Sequence, residues 1–435
     1  MKGMELFMDI LVVGGGGREH AIIKKIKESP RCDKIYCTPG NGGISCDAKC
    51  FDIKADDITG VVELSKSLQV DLVFVAPDNP LVAGMVDALE KEGIAAFGPR
   101  ANAAELEGSK VFSKRLMKKY NIPTADYEIF DNPADTLTYI RKQGRYPAVL
   151  KADGLALGKG VLLCDNYSQA KAAVKSLMQD KIFGAAGSRV VVEEFLTGPE
   201  VSVLAFTDGK TICPMVSAKD HKRAFDGDMG PNTGGMGAIS PNPNYDDETA
   251  EFCMNRIFLP TIQAMNKEGR PFKGCLYFGL MLTLDGPKVI EYNCRFGDPE
   301  TQVVLPRLKT DLLEIICAIR EERLSELNIE WSDDACACVV MASGGYPGEY
   351  KKGIKITGLD SNGQLDDVII FHAGTSKESR DFYTNGGRVL GVTAKGKSID
   401  AALNLAYGAV VRIDFKDAHY RRDIGKVAAQ EDTKM

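Results

Sequence analysis

The sequence has no long apolar run, no excess of positive charge and few histidines. No apolar stretch approaches the length that crosses a bilayer, and residues 1–9 lack the apolar core and small-residue cleavage site of a secretory signal. The net charge of -6 argues against nucleic acid as a bulk partner. We therefore expect a cytoplasmic protein that binds neither membranes nor nucleic acid, and whose partners are small molecules.

The 12 cysteines form no complete metal or disulfide pattern. Cys46 and Cys50 have a spacing compatible with zinc, but no second cysteine pair or histidine cluster completes such a site. Others, such as Cys213 and Cys275, stand within apolar segments, which is typical of buried free thiols. The sequence therefore predicts neither structural zinc nor disulfides.

The length of 435 residues predicts about two to four domains, because one hydrophobic core rarely extends so far. Residues 9–13 form a buried-strand pattern, residues 14–17 a glycine turn and residues 19–26 a helical pattern. Strand patterns at 34–38 and 71–76 and a helical pattern at 81–91 continue the series to about residue 100. This alternation predicts an α/β nucleotide-type domain with a parallel sheet.

The glycine turn resembles the start of a dinucleotide fingerprint, but it departs from that motif twice. Glu19 occupies the third glycine position, and the second strand ends in Thr38 and Pro39 instead of an acidic residue. A glycine turn at a helix N-terminus still offers N–H groups to an anion, and Arg18 adds a positive charge. A single phosphate is therefore a better ligand prediction than NAD.

A second glycine-rich loop, residues 152–160, lies between strand patterns at 148–151 and 161–164. Lys151 and Lys159 would bring positive charge to a nucleotide's phosphates, and the glycines would let the backbone approach them. Because Gly160 follows Lys159, the loop is not a Walker A motif. The alternative interpretation is a hairpin with a flexible tip.

Three later segments complete the organisation of the chain. Residues 190–196 contain an apolar strand pattern that ends in Glu193 and Glu194. These carboxylates are either functional or simply an exposed strand end. Residues 219–237 form a long polar loop, which composition alone leaves as either functional or disordered. From about residue 332, strand patterns at 339–342 and 369–372 and a helical pattern at 398–411 predict a small α/β domain.

Residues 289–302 are the most informative stretch. A β-branched strand runs into Glu291, Asn293 and Arg295 at alternate positions, which share one face of a strand. Such a trio can hold Mg²⁺ between phosphates and neutralise a transferring phosphoryl group, although it could also be a solvated strand face. The glycine-proline turn that follows at 297–299 ends the strand, and we expect the trio at the carboxyl end of an α/β strand.

Taken in order, these segments resemble the phosphoribosylamine–glycine ligase family of the ATP-grasp superfamily. The matching segments cover residues 16–20, 39–43, 106–110, 151–160, 193–196, 220–223, 230–237, 291–302, 372–375 and 386–390. The Asp-His-Lys-Arg segment at 220–223 and the loop at 230–237 distinguish this family from other ATP-grasp enzymes. The resemblance implies an α/β and α+β multidomain protein with an ATP-grasp fold, an N-terminal Rossmann-like (pre-ATP-grasp) domain and a small C-terminal α/β domain.

The domain limits expected from this resemblance are 1–103 for the N-terminal domain, 104–190 for the ATP-grasp lid, 191–330 for the central catalytic subdomain and 331–435 for the C-terminal domain. The implied activity is ATP-dependent ligation of glycine to 5-phosphoribosylamine through glycyl phosphate, in de novo purine synthesis. Its cofactor would be Mg²⁺, with Mn²⁺ as an alternative, and the protein would be a monomer or weak dimer. An ATP-grasp carboxylase and a non-catalytic nucleotide-binding protein remain the alternatives.

The resemblance also implies a role for individual residues. Those expected to bind ATP are Lys110, Lys151, Gly154, Gly158, Lys159, Gly160, Glu193, Glu194, Phe195, Leu196 and Glu200. Those expected to bind the other substrates are Gly16, Gly17, Arg18, Glu19, Asp220, Lys222 and Gly235. Arg295, Lys222 and Asp220 would be catalytic, and Glu291 and Asn293 would bind the metal.

Two departures from the family pattern leave assignments open. Asp78 stands where the family commonly has Glu, so its side chain is one methylene shorter and its role as a ligand is open. The strand pattern at 279–283 lacks the second acidic metal ligand that many ATP-grasp relatives carry.

Overall fold

The computed structural model describes residues 7–155, 160–182 and 184–426. Gly158 and Lys159 of the expected phosphate loop lie outside these described residues. Within the described ranges, no helix is both long enough and apolar enough to span a membrane.

The N-terminal part is built on a parallel sheet. Its elements and the two helices that follow are β1 (Met8–Gly14), α1 (Gly17–Lys27), β2 (Cys32–Pro39), β3 (Lys49–Cys50), α2 (Ile58–Leu68), β4 (Leu72–Val75), α3 (Asp78–Val82), α4 (Met85–Lys91), β5 (Ala96–Phe97), α5 (Ala101–Gly108) and α6 (Lys110–Lys119). The strand order β3-β2-β1-β4-β5 confirms the predicted α/β arrangement. The single helix predicted over 81–91 is wrong, because Gly84 has a φ of 90° and separates α3 from α4.

A small antiparallel sheet follows, with the order β6-β9-β7-β8. Its elements are β6 (Tyr127–Phe130), α7 (Pro133–Gln143), β7 (Ala148–Ala152), β8 (Val161–Cys164), α8 (Tyr167–Val174) and β9 (Val190–Glu194). Asn132 caps α7 by accepting from two backbone N–H groups of its first turn. The domain limit expected between 190 and 191 falls inside β9, which pairs with β6 and β7 along its whole length.

The central part contains an antiparallel sheet with the order β11-β10-β16-β17. The elements of this part are β10 (Glu200–Thr207), β11 (Ile212–Pro214), β12 (Lys219–Asp220), β13 (Arg223–Phe225), β14 (Met229–Asn232), β15 (Gly237–Ser240), α9 (Asp247–Cys253), α10 (Leu259–Lys267), β16 (Gly274–Thr283), β17 (Gly286–Asn293), α11 (Thr301–Val304) and α12 (Leu312–Arg320). The long apolar strands β10 and β16 are buried on both faces. They form the middle of the sheet and pack against α9 and α10 through one apolar cluster.

One expectation about the stretch at 289–302 is confirmed for two residues and corrected for the third. Glu291 and Asn293 lie at the carboxyl end of their strand, β17, which pairs antiparallel with β16. The strand ends at Asn293, and Arg295 lies in the turn beyond it. The alternate-face argument therefore applies to Glu291 and Asn293 but not to Arg295, which long-range contacts position instead.

The C-terminal elements are β18 (Ala335–Ala342), β19 (Lys355–Ile356), β20 (Ile369–His372), β21 (Thr375–Glu378), β22 (Asp381–Thr384), β23 (Arg388–Gly396) and α13 (Ile399–Val410). Ser398 caps α13, which packs on the sheet through alanines and other small apolar residues. The sheet order β12-β15-β18-β23-β20 includes two strands from the central part. Strand pairing therefore crosses the expected domain limit between 330 and 331.

The N-terminal and C-terminal parts meet through two of the family-like glycine segments. Asn41 Nδ2 donates to the backbone oxygens of His372 (2.8 Å) and Gly15 (3.0 Å). The His372 N–H donates to Nδ1 of His20 at 2.8 Å. Burial lowers the pKa of His372 to about 3, so its ring is neutral near pH 7. These segments join two parts of the fold. The contacts between those parts explain the buried polar side chains of His20, Asn41 and His372 without a bound ligand.

Gly43→Ala tests this interface, because an added Cβ would overlap the buried His372 ring. Overpacking of this kind costs about 1–3 kcal/mol, and the melting temperature should fall by at least about 2 °C. Differential scanning fluorimetry measures the shift. Gly408→Ala is the matched control, since Gly408 is exposed on α13 and its added Cβ meets nothing within 4 Å. Equal behaviour of the two variants would contradict the proposed packing.

Candidate functional site

Glu291 and Asn293 lie at the end of β17. We refer to the space between these two residues and the cations Lys110, Lys151, Lys222 and Arg295 as the cleft. The register with β16 passes from Leu280–Val289 to Gly279–Glu291, so Ile290 is the extra residue of a β-bulge. The Glu291 carboxylate lies 3.9 Å from Lys222 Nζ and is 36% exposed. Removal from water would raise the pKa of Glu291, but Lys222 and other cations hold that pKa below its ordinary value. The carboxylate is therefore ionised and open toward the cleft.

Arg295 is fixed beside this pair by oxygen atoms from three directions. Its Nη2 lies 3.3 Å from Asn293 Oδ1, 3.3 Å from Glu107 Oε1 and 3.8 Å from Asp78 Oδ2. Burial opposes its charge, but the two carboxylates outweigh that effect and raise the pKa of Arg295. Its Nε is buried and has no hydrogen-bond partner within the described ranges. Arg295 is thus a fixed cation with a donor still available.

Glu107 holds this arrangement together from beneath. Its Oε2 accepts from the Cys294 N–H at 2.6 Å, while Oε1 meets Arg295. The side chain is buried, and burial raises the pKa of Glu107 although Arg295 opposes that shift. Glu107 therefore ties the last turn of α5 to the turn after β17.

Two lysines supply positive charge to the cleft, Lys110 from α6 and Lys151 from β7 of the small sheet. Lys110 Nζ donates to the Gly154 oxygen at 2.8 Å. Lys151 Nζ donates to the Ile290 oxygen at 3.1 Å, which is the bulged residue next to Glu291. Both lysines are among the cations whose charge lowers the pKa of Glu291. The sequence-predicted phosphate lysines therefore face the sequence-predicted metal ligands across one cleft.

Glu193 lies between two buried ammonium groups. Its Oε2 is 3.0 Å from Lys151 Nζ and 3.0 Å from Lys114 Nζ. Burial would raise the pKa of Glu193, but the two lysines more than offset this and lower it. The other oxygen, Oε1, is buried without a hydrogen-bond partner among the residues that the structure describes. An ionised carboxylate with one free oxygen is a strong acceptor for a ligand N–H.

The residues after β9 form the outer edge of this pocket. Glu194 Oε2 accepts from the Asp126 N–H at 3.2 Å, and Phe195 is 39% exposed. Leu196 follows at intermediate exposure. At the start of β10, Glu200 Oε2 accepts from Lys222 Nζ at 2.8 Å, so Glu200 joins the Glu291 side of the cleft.

The described ends of the second glycine-rich loop are anchored at the same cleft. Asp153 Oδ1 accepts from Ser109 Oγ at 2.9 Å and from the Val111 N–H at 3.1 Å. The Ala152 N–H donates to the Gly160 oxygen at 2.9 Å, which closes the hairpin of β7 and β8. The described start of the loop therefore lies against the first turn of α6, which carries Lys110.

The N-terminal glycine turn approaches from the opposite side. The Gly16 N–H donates to Glu19 Oε2 at 2.6 Å, and Arg18 Nε donates to Glu19 Oε1 at 2.7 Å. Glu19 thus caps the helix and is already engaged. Arg18 Nη1 also donates to the Phe296 oxygen at 3.2 Å, and Gly17 lies against the side chain of Gln302. Arg18 is thereby placed next to the turn that carries Arg295.

Asp220 forms the remaining wall with the polar loop. Its Oδ1 is buried without a hydrogen-bond partner in the described part of the chain. Burial, and then the neighbouring Glu300 carboxylate, raise the pKa of Asp220. Gly235 has a φ of 108°, and a Cβ there would lie 2.6 Å from Asp220 Oδ1. Glycine is therefore required for this close approach.

Arg388 closes that wall from the C-terminal part. Its Nη1 donates to the Asp298 oxygen at 2.8 Å and to the Gly234 oxygen, and it lies 3.3 Å from Asp298 Oδ1. Arg388 therefore fixes the loop at 230–237 against the turn after β17.

Four residues at the cleft had no role in the sequence interpretation: Glu107, Lys114, Glu300 and Arg388. Glu107, Glu300 and Arg388 stand inside the family-like segments, which was an available signal. Lys114 stands four positions after Lys110 on a helix with a mixed surface, and only its burial distinguishes it.

Glu291 and Asn293 fit a divalent cation that also binds phosphates. Carboxylate and amide oxygens suit Mg²⁺, which commonly takes one or two protein ligands and fills its shell with phosphates and water. Within the described ranges, no cluster of three or more His, Cys, Asp or Glu side chains forms a self-sufficient metal cage. The donor set therefore suits a nucleotide-bound cation better than a structural ion.

Three family models match the chain in succession. They are phosphoribosylglycinamide synthetase, N domain, over residues 8–107, the ATP-grasp (A) domain over 108–301 and the C domain over 336–427. Together they cover both walls of the cleft, the glycine turn and Arg388.

Individual relatives agree. The chain is 47% identical over 417 residues to a phosphoribosylamine–glycine ligase of Caldanaerobacter subterraneus, which covers 96% of this chain and 99% of that protein. A phosphoribosylamine–glycine ligase crystal structure from Thermotoga maritima has a TM-score of 0.82 at 32% identity, covering 96% and 100% of the two chains. Biotin carboxylase from Campylobacter jejuni has a TM-score of 0.73 at 15% identity, covering 96% and 93%, and shows the shared fold alone. The chain belongs to the phosphoribosylamine–glycine ligase family of ATP-grasp enzymes.

Proposed function

We propose that this chain joins glycine to 5-phosphoribosylamine with ATP, giving glycinamide ribonucleotide, ADP and phosphate. The observation that carries the proposal is the cluster of cations around Glu291: Lys222, Lys151, Lys110 and Arg295. Such a cluster suits the several negative charges of ATP and of a transferring phosphoryl group. The family membership supplies the acceptor chemistry, which belongs to de novo purine biosynthesis.

In the first step, a carboxylate oxygen of glycine attacks the γ-phosphorus, the bond to the β–γ bridging oxygen breaks, and ADP leaves. Lys110 and Lys151 would hold the phosphates, with Gly154 and Gly160 at the described ends of the loop above them. Arg295 would donate to the transferring phosphoryl group, which the unpartnered Nε supports. Glu291 and Asn293 would bind Mg²⁺, which neutralises charge and orients the phosphates when bound.

The purine would lie at the end of β9. The free Oε1 of Glu193 suits the 6-amino group of adenine, and the backbone from Glu194 to Leu196 offers the remaining polar edge. Phe195 would cover a ring face. Glu200 would accept from the ribose hydroxyls, in competition with its present partner Lys222.

In the second step, the nitrogen of 5-phosphoribosylamine attacks the carbonyl carbon of glycyl phosphate, phosphate leaves and the nitrogen loses a proton. Gly16, Gly17 and Arg18 would bind the ribose 5-phosphate, while Glu19 keeps the turn in shape. Asp220, Lys222 and Gly235 would line the reacting end. The buried, unpartnered Oδ1 of Asp220 suits an N–H group of glycine or of the amine.

We further propose Mg²⁺ as the working metal, with Mn²⁺ as a substitute, a cytoplasmic location, and a monomer or weak dimer. We propose four domains with the sequence-derived limits, except that the limit after 190 moves to 194 so that β9 stays with its sheet. Equilibrium sedimentation tests the oligomeric state directly.

The defining experiment measures phosphate release from Mg-ATP with glycine and 5-phosphoribosylamine together, and with each left out in turn. Release that requires both substrates, with a product of the mass of glycinamide ribonucleotide, is the expected result. Release with bicarbonate instead of glycine would indicate a carboxylase. No release under any condition would indicate a nucleotide-binding protein without catalysis.

Glu291→Gln keeps the shape of the side chain but removes its charge from the expected metal site. We expect turnover to fall by on the order of a hundredfold or more at saturating ATP, with a higher Mg²⁺ requirement. Initial rates across a Mg²⁺ series measure both effects. The exposed Glu63→Gln on α2 is the matched control. Turnover near that of the control would remove Glu291 from the metal site.

Arg18→Ala removes the cation next to the glycine turn. We expect the KM for 5-phosphoribosylamine to rise by about tenfold or more, because a charge-assisted phosphate contact is lost, while the KM for ATP stays unchanged. Steady-state kinetics with each substrate varied gives both constants. Arg115→Ala, at an exposed position on α6, controls for loss of charge alone. Equal rises in both KM values would contradict the assignment.

A further inference from the structure

Lys114 is a buried ammonium group to which the proposed reaction assigns no task. Its side chain is only 2% exposed. Its Nζ lies 3.0 Å from Glu193 Oε2, donates to Thr124 Oγ1 at 2.7 Å and stands 5.6 Å from the centre of the Tyr127 ring. Burial of a charged group is costly unless the group is paired with an opposite charge and hydrogen-bonded. The contact with Glu193 supplies that pairing.

We propose that Lys114 is a positioning residue that keeps Glu193 ionised and oriented, so that Glu193 Oε1 accepts from the 6-amino group of ATP and rejects 6-oxo purines. Lys114 would thereby determine selectivity for the base without touching it. This inference rests on the proposed placement of adenine at the end of β9.

The chemical reason lies in the two oxygens of Glu193. Lys114 and Lys151 both engage Oε2, which leaves Oε1 as the oxygen without a partner among the described residues and so available to a ligand. An ionised carboxylate accepts hydrogen bonds and donates none, so it suits an amino group and repels a carbonyl oxygen. A protonated carboxyl could donate to the carbonyl of a 6-oxo purine. The charge on Glu193 is therefore the property that discriminates between the two bases.

The pKa directions agree with this arrangement. Burial lowers the pKa of Lys114 to about 8 against the attraction of Glu193. Burial also acts to raise the pKa of Glu193, and the two lysines together outweigh it. If one lysine is removed, only the other remains to offset the effect of burial on the pKa of Glu193. The pKa of Glu193 would then rise, which favours its protonated form.

Substitution of Lys114 separates the effect on base selectivity from phosphate binding better than substitution of Lys151 does. Lys151 also donates to the Ile290 oxygen beside Glu291, so its loss would disturb both ends of the ATP site. Lys114 instead contacts Thr124, whose Oγ1 donates to the Val289 oxygen at 2.7 Å. Among the proposed ligand-binding side chains, its contact is with Glu193, and its link to β17 runs through Thr124 to a backbone oxygen.

The test compares Lys114→Met with the wild type in kcat/KM for ATP, for inosine triphosphate and for purine riboside triphosphate, which lacks the 6-amino group. The wild type should prefer ATP to both analogues. In Lys114→Met we expect kcat/KM for ATP to fall by about tenfold or more, while the value for purine riboside triphosphate changes by less than about threefold. The KM for glycine should stay unchanged. If the role of Lys114 is purely structural, kcat/KM should fall by the same factor for all three nucleotides. That result would overturn the proposal.

Two further variants complete the comparison. Glu193→Gln should also reduce the preference for ATP, and the double variant should lose little more than the stronger single variant, because both residues act through one contact. Lys118→Met is the matched control, since Lys118 is exposed on the same helix and its Nζ also lies 5.6 Å from the Tyr127 ring. A reduced preference in the control would overturn the assignment to Lys114.

The outcomes separate the two proposals. A wild type that does not distinguish ATP from purine riboside triphosphate would overturn both the adenine contact and the role of Lys114. A wild type that does distinguish them, with the same ratio in Lys114→Met, would overturn the role of Lys114 alone. If Lys114→Met does not fold, Thr124→Val decides the matter, because it removes the second anchor of Lys114. We then expect a smaller loss of preference in the same direction, and an unchanged ratio would count against the proposal.

Discussion

The site depends on one buried interaction, in which the Glu193 carboxylate lies between Lys114 and Lys151 and offsets part of their positive charge. Each lysine also reaches β17, because Lys151 donates to the Ile290 oxygen and Lys114 contacts Thr124, which donates to the Val289 oxygen. Removing one partner of a buried ion pair costs about 3–5 kcal/mol. The small sheet therefore cannot shift along β17 without breaking expensive contacts, and the base pocket stays at a fixed distance from Glu291.

The buried polar atoms without partners mark where a ligand would complete the structure. Within the described ranges they belong to Glu193, Asp220, Arg295, Gln302 and Thr393. The first four line or adjoin the cleft, whereas Thr393 lies on β23 in the C-terminal sheet. An unpaired buried polar atom costs about 1–3 kcal/mol, so hydrogen bonds from bound substrates to several of them in one cleft would stabilise the complex.

Much of the fold and of the candidate site could be predicted from the sequence, because the signals were local. The strands at 9–13 and 148–151 and the capped helix after Ser398 follow from apolar patterns and turn residues. The glycine segments carried the family resemblance. The helix interruption at Gly84 was missed because helical periodicity continues on both sides of it. The end of β17 at Asn293 was also missed, because the alternation of polar residues continues to Arg295 in the turn beyond it.

The remaining contacts at the site join residues far apart in the chain, and no local pattern encodes them. Glu107 meets the Cys294 N–H, and Arg388 meets Asp298. Both contacts hold the turn after β17, one from α5 and the other from the C-terminal sheet. Arg18 reaches the same turn from the N-terminal part. That turn is therefore fixed by three separate regions of the chain, and it carries Arg295, the cation that we propose for the transferring phosphoryl group. A hydrolysable acyl phosphate survives only where water is excluded. Convergence of these three regions on one short turn would hold the walls around such an intermediate in place.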